Sequence, residues 1–228
     1  MLFWNVTREI YSKWDGVPPV PSRAGAIAMS LGDNEFSYRL LAIMLQNFGD
    51  VGRDITPLKD YNYQKLGQWF HLLHSLDPVS DHIPLLAANY FGGTLVPKDV
   101  AYVVDYLKVA GNMRIGEKWR WLAQAAYLAQ HRLNDLDMAL GFAYQLQNMN
   151  REGVAMPQWA RQMPVFVLKY RGEKEASRHL MENLLVTDKT MEPNEVNFMR
   201  LYLTEDLGVD QKEVEGLLRL RGIGAAAK

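Results

Sequence analysis

No cysteine occurs in the 228 residues, which removes disulfides, thiolate metal sites and a cysteine nucleophile in one step. That absence leaves the compartment open, because a bacterial periplasmic protein can also lack cysteine. An excess of one charge is equally missing: 25 Lys and Arg stand against 26 Asp and Glu, a formal net charge of −1. A nucleic-acid reader is expected to carry a strongly basic domain, so this balance points away from nucleic acid as a partner. No stretch approaches the ~18 consecutive apolar residues of a spanning helix. Gly-x-Ser-x-Gly, Gly-x-Gly-x-x-Gly, a phosphate loop and His-Glu-x-x-His are absent as well. Nucleophilic, phosphate-binding and zinc-hydrolase chemistry therefore have no motif to rest on, and no cofactor is expected.

What is present is ordinary globular material. Hydrophobic residues make up 48% and charged residues 22%, proportions that exclude wholesale disorder. The N-terminus mixes Leu2, Phe3, Trp4, Tyr11 and Trp14 with Arg8 and Lys13, a pattern suited to a membrane–water boundary. It is too short and too charged for a signal peptide. A terminal helix docked by its aromatic face is the first expectation for residues 1–14, and membrane association through an interfacial helix or the remnant of an upstream anchor is the second. Pro18, Pro19 and Pro21 then hold the backbone extended and close this first segment, residues 1–22.

From Arg23 onward the chain reads as helices broken by Gly, Pro, Asn and Asp. Phe36, Leu40, Ile43, Met44 and Phe48 recur at the helical period and predict a buried stripe over 34–47. A loop is expected over 49–60. Leu66, Trp69, Phe70 and Leu73 predict a helix over 63–76 that stops at Asp77-Pro78, with Ser80 or Asp81 capping the next. Pro97 and Pro193 suit first turns, Gly111 suits a helix end, and Asp135 and Asp210 suit caps. The expected organisation is all-α: one helical repeat domain over 23–220, then a flexible tail over 221–228.

Helices of ~12–16 residues with short connections pack as antiparallel hairpins. Leu66, Ala101, Ala139 and Ala176, each opening the second helix of a pair, recur at spacings a little above the ~34-residue period of helical-hairpin repeats. The run Trp119-x-x-Leu122-Ala123-x-x-Ala126-Tyr127, followed by Asp137-Met138-Ala139-Leu140-x-x-Ala143, resembles a degenerate tetratricopeptide repeat. The likeness spans about residues 34–185 and departs from the pattern at two long insertions, at Pro84 and Pro164, and in lacking a consistent tight-position glycine. The arrangement is also similar to bacterial membrane-associated proteins with such repeats. This resemblance implies an α-solenoid, a superhelix whose first helices line a concave face that takes a peptide or helix. It further implies a bacterial setting, in the cytoplasm or at the inner membrane.

On that implication, Asn89, Tyr90, Arg120, Gln124, Tyr127 and Arg161 line the groove. Arg and Tyr are residue types that commonly anchor interfaces. His71 and His74, three apart on one helix with Asp77, Asp81 and His82 nearby, are the metal candidates, with helix packing and capping as the simpler reading. Trp119 and Trp121 point about 200° apart and cannot form one stacking platform. The basic run Arg161, Lys169, Arg171, Lys174 and Arg178 reads as a solvated face, or else as a contact for an acidic or phosphorylated partner. The functional expectation is a non-catalytic protein-interaction scaffold. A structural subunit of a large membrane-associated complex is the alternative, and a metal-dependent enzyme ranks behind both.

Overall fold

A computed structural model describes residues 17–51 and 54–222, so the expectations for residues 1–14 lie outside the described residues. Within those residues the chain is helical. Eleven α-helices are joined by short turns, and the only pairing of strands among them is antiparallel, Asp50 with Ile55 and Val51 with Asp54. Where a plain loop was expected over 49–60, the chain therefore makes a short hairpin and one 3-10 turn, Leu58–Asp60. The chain divides into two compact units between Trp121 and Leu122.

The first unit holds α1 (Arg23–Met29), α2 (Asn34–Gln46), α3 (Tyr63–Leu76), α4 (His82–Asn89), α5 (Pro97–Gly111) and the start of α6 (Trp119–Leu128). Side-chain oxygens of Ser22, Asp33 and Asn62 accept from the third amide beyond each, at 3.0–3.1 Å, so α1, α2 and α3 begin at true N-caps. Asp81 does not cap α4; Ser80 Oγ accepts the His82 amide at 3.2 Å instead. Leu66, Trp69, Phe70 and Leu73 are all buried, as the period predicts, and the Phe70 ring packs on Phe91 and Tyr106 at 5.6 and 5.1 Å. The Trp69 indole donates to Pro18 O at 3.0 Å and Val17 is buried. The end of the proline-rich stretch is thus docked on this core and is more than a linker.

One expectation is overturned. Of the five residues predicted as the buried stripe, the four on α2 face solvent, with Phe36 55% exposed, Leu40 46%, Ile43 61% and Met44 37%, while Phe48, just past the helix end, is buried. The helix instead buries Tyr38, Leu41, Ala42 and Leu45, with Ser37 donating to Ala26 O. Alpha-2 has two apolar faces, and periodicity alone cannot say which one the core takes.

The second unit holds the rest of α6, then α7 (Leu136–Arg151), α8 (Gln158–Tyr170), α9 (Lys174–Thr187), α10 (Pro193–Leu201) and α11 (Gln211–Arg221). Single π turns follow α6 at Ala129–Leu133 and α10 at Tyr202–Asp206. Caps at Asp135 and Asp210 form as expected. Small residues lie at closely packed positions, with Ala129, Ala139, Ala143 and Ala160 fully buried. A second cluster, including Val165, Met181, Leu185, Met199, Leu203 and Val214, closes the core around α9–α11. Arg221, placed in the tail on sequence, is the buried last residue of α11. Its guanidinium donates to the carbonyls of Leu185, Asp188 and Met191. The repeat register also needs correcting: Ala101 and Ala176 are exposed, while the adjacent Val100 and Ser177 are buried.

Candidate functional site

The loop between α3 and α4 is built from its own polar groups. Asp77 Oδ1 accepts the amides of Val79 and Ser80 at 3.0 Å each, and Tyr38 donates to Ser80 Oγ at 2.7 Å. Lys118, only 2% exposed, reaches Ser80 O at 2.6 Å and Asp81 Oδ1 at 2.8 Å. Trp121 donates to the same oxygen at 2.7 Å, and Arg120 sits 3.3 Å from Oδ2. Burial works to raise the Asp81 pKa, but hydrogen bonds from Lys118 and Trp121 and the charges of Lys118 and Arg120 outweigh it and hold the carboxyl below its usual value. A carboxylate so fully engaged serves as an anchor between loop and helix.

Beside it stand His74 and Tyr106. Burial first, then the Lys118 and His71 charges, lower the His74 pKa. Burial raises that of Tyr106. Neither His74 Nδ1 nor the Tyr106 hydroxyl has a protein hydrogen-bond partner. The two rings meet edge to face at 5.9 Å, and His71 meets Tyr106 similarly at 5.6 Å. His71 pairs with Asp105 at 3.6 Å. Among the described residues no group of three or more His, Asp or Glu side chains is assembled as a metal site.

The six groove residues read from sequence fall in different surroundings. Asn89 and Tyr90 are exposed at the end of α4, and Tyr90 borders a cleft with Gln46, Asn47, Phe48, Tyr61 and Leu86. Arg120 is tied to Asp81 and Glu117. Gln124 is half-buried. Tyr127 is 51% exposed and packs on His131 at 4.6 Å, which in turn meets Tyr170 at 5.5 Å. Arg161 is paired with Asp188 at 2.6 Å, with both side chains mostly buried. It lines a polar pocket with Gln147, Asn150, Arg151, Asn183 and Thr187. Two residues apart on α8, Arg161 and Trp159 point about 200° from one another, so the arginine lies away from the helix's exposed aromatic side.

That aromatic side was missed on sequence. Trp159 (47% exposed), Phe166 and Tyr170 (55%) recur along α8 at helical spacing. Phe166 meets Phe198 of α10 at 6.2 Å and Tyr202 at 5.4 Å, edge to face. Between α8 and α10 runs a groove of about 310 Å³ lined by Pro157, Gln158, Trp159, Gln162, Phe166, Asn194, Glu195 and Phe198. The available signal was the width of the apolar arc of α8, which runs from Phe166 and Tyr170 through Met163, Val167, Ala160 and Pro164 to Leu168, with Arg161, Gln158, Lys169 and Gln162 on the remaining side. Such a helix has more apolar surface than one core face uses.

The basic run is largely spent on internal pairing. Lys169 pairs with Asp206, Arg171 with Asp137 and Glu173, and Arg178 with Glu182 and Glu213. No helix among the described residues is long and apolar enough to cross a membrane. No protein-family model, curated protein or solved structure matches this chain.

Proposed function

We propose that this chain is a non-catalytic protein-interaction module of paired helices, similar to tetratricopeptide arrays. In this reading it holds a segment of a partner protein, in a bacterial assembly, on the side presented by the first helix of each pair. The observation that supports it is where the large exposed apolar side chains lie. In the first unit four of them lie on α2 (Phe36, Leu40, Ile43 and Met44) and none on α3, the second helix of that pair, while α5 exposes Tyr102 and Val109. In the second unit α8 and α10 show Trp159, Tyr170, Phe198 and Leu201 and α9 shows none, with Met138 and Tyr144 exposed on α7 and Leu220 on α11. Within each unit, aromatic and aliphatic groups gathered on one helix are the usual mark of a surface that a partner covers.

The test is charge placed on each face: Leu40→Glu with Ile43→Glu on α2, and Phe198→Glu on α10. Because these side chains are already half exposed, the melting temperature should move by only a few degrees. Proteins retained at a fixed ratio by the full chain from its native cells should fall at least tenfold with one or both variants. Retention that ignores both faces, yet is lost when residues 1–14 are removed, would favour the structural-subunit reading and defeat this one.

A further inference from the structure

The groove between α8 and α10 carries two buried polar atoms that its apolar walls leave without partners. Gln162 is only 2% exposed, lines the groove, and its Nε2 has no hydrogen-bond partner. Gln158, one turn earlier on the same helix face, also lines the groove and has a buried Oε1 with none. Shutting an amide donor and an amide acceptor away from water is unfavourable unless something supplies their complements. Around them the lining is Pro157, Trp159, Phe166 and Phe198, with Asn194 and Glu195 on the α10 side.

We infer that this groove binds an extended peptide segment of a partner protein, gripping one residue's backbone through Gln158 and Gln162 and seating one large apolar side chain among Trp159, Phe166 and Phe198. A residue in extended conformation turns its own N–H and C=O to the same side, as in strand pairing, and so offers a donor to Gln158 and an acceptor to Gln162 together. A helix cannot do so along its length, because its amides and carbonyls are bonded to one another. Charge selects further. Glu195 is the one ionisable side chain among the lining residues, and its Oε2 already accepts the Glu192 amide at 3.2 Å. The segment therefore carries Lys or Arg beside its apolar anchor and no acid there.

This inference rests on the interaction reading above, and the experiment separates the two. The full chain is panned against a displayed library of random dodecapeptides, and a synthetic peptide of the enriched consensus is titrated calorimetrically. The expected consensus has one aromatic or large aliphatic residue next to a basic one, without helical periodicity. Its affinity should fall at least tenfold for Phe198→Ser and for Gln162→Met, while the melting temperature of Gln162→Met stays level or rises because a buried unpaired donor has been removed. N-methylation of the anchor residue's amide should cost at least tenfold against the native chain and less than threefold against Gln158→Met. Peptides that bind Phe198→Ser or Gln162→Met as tightly as the native chain, or that are amphipathic helices, overturn the groove inference and leave the module standing. Failure to enrich any peptide overturns the inference also. If the charged α2 and α10 variants then retain all native partners, the broader reading falls with it.

Discussion

At the scale of single residues, the most consequential side chain in the first unit is Asp81. It neutralises the buried Lys118 ammonium and accepts from Trp121. Asp81→Ala leaves that ammonium with the Ser80 carbonyl and no counter-charge, and we expect a loss of about 2 kcal/mol in denaturant titration. Arg120→Ala, which removes a half-exposed partner of the same carboxylate, should cost under about 1 kcal/mol. Because the Asp81 pKa is lowered in the folded chain, its contribution is present above the unfolded value of 3.8 and is lost as pH falls through the lower folded one. His74 acts nearer neutrality. Its pKa is also lowered, so the unfolded chain binds the proton more readily, and stability falls as pH drops below 6.5. Unfolding followed between pH 7.5 and 5 should show that fall in the native chain and a flatter profile in His74→Leu. An unchanged slope would remove His74 as its source.

At the scale of elements, turns and double-faced helices decide the outcome. Gly49 closes α2 into the short hairpin at a φ of +83°, and a Cβ there would overlap the Tyr61 hydroxyl, which donates to Phe48 O. Gly153, at φ +95°, ends the turn after α7 with nothing near its missing Cβ. Gly153→Ala should therefore cost only the left-handed backbone penalty, about 1 kcal/mol, whereas Gly49→Ala should cost about 3 kcal/mol or more. Equal losses in thermal unfolding would contradict the packing seen at Tyr61. Caps at Asp135 and Asp210 were legible because capping is a local transaction between a side chain and amides two or three residues on. Of the two residues expected to cap α4, Ser80 takes the His82 amide, whereas Asp81 turns to Lys118, Arg120 and Trp121, which come from almost forty residues away.

At the scale of the whole molecule, the near-neutral charge and the internal pairing of Lys169, Arg171 and Arg178 predict no measurable shift of DNA or RNA in gels at ~0.15 M salt. A shift that weakens steeply with added salt would refute that expectation. The helical class, most helix limits and the exclusion of disulfides followed from the sequence, since composition, period and capping act over a few residues. Tertiary structure alone decided which apolar face is spare. Phe36, Leu40, Ile43 and Met44 have the period of a core stripe and are exposed, and Trp159 and Phe198 become a groove only when α8 and α10 lie side by side. Arg161 likewise passes from a groove anchor on sequence to a partner of Asp188 in the fold. The physical reason is the same in each case: hydrophobicity drives burial without direction, and direction comes from long-range packing that no local pattern encodes.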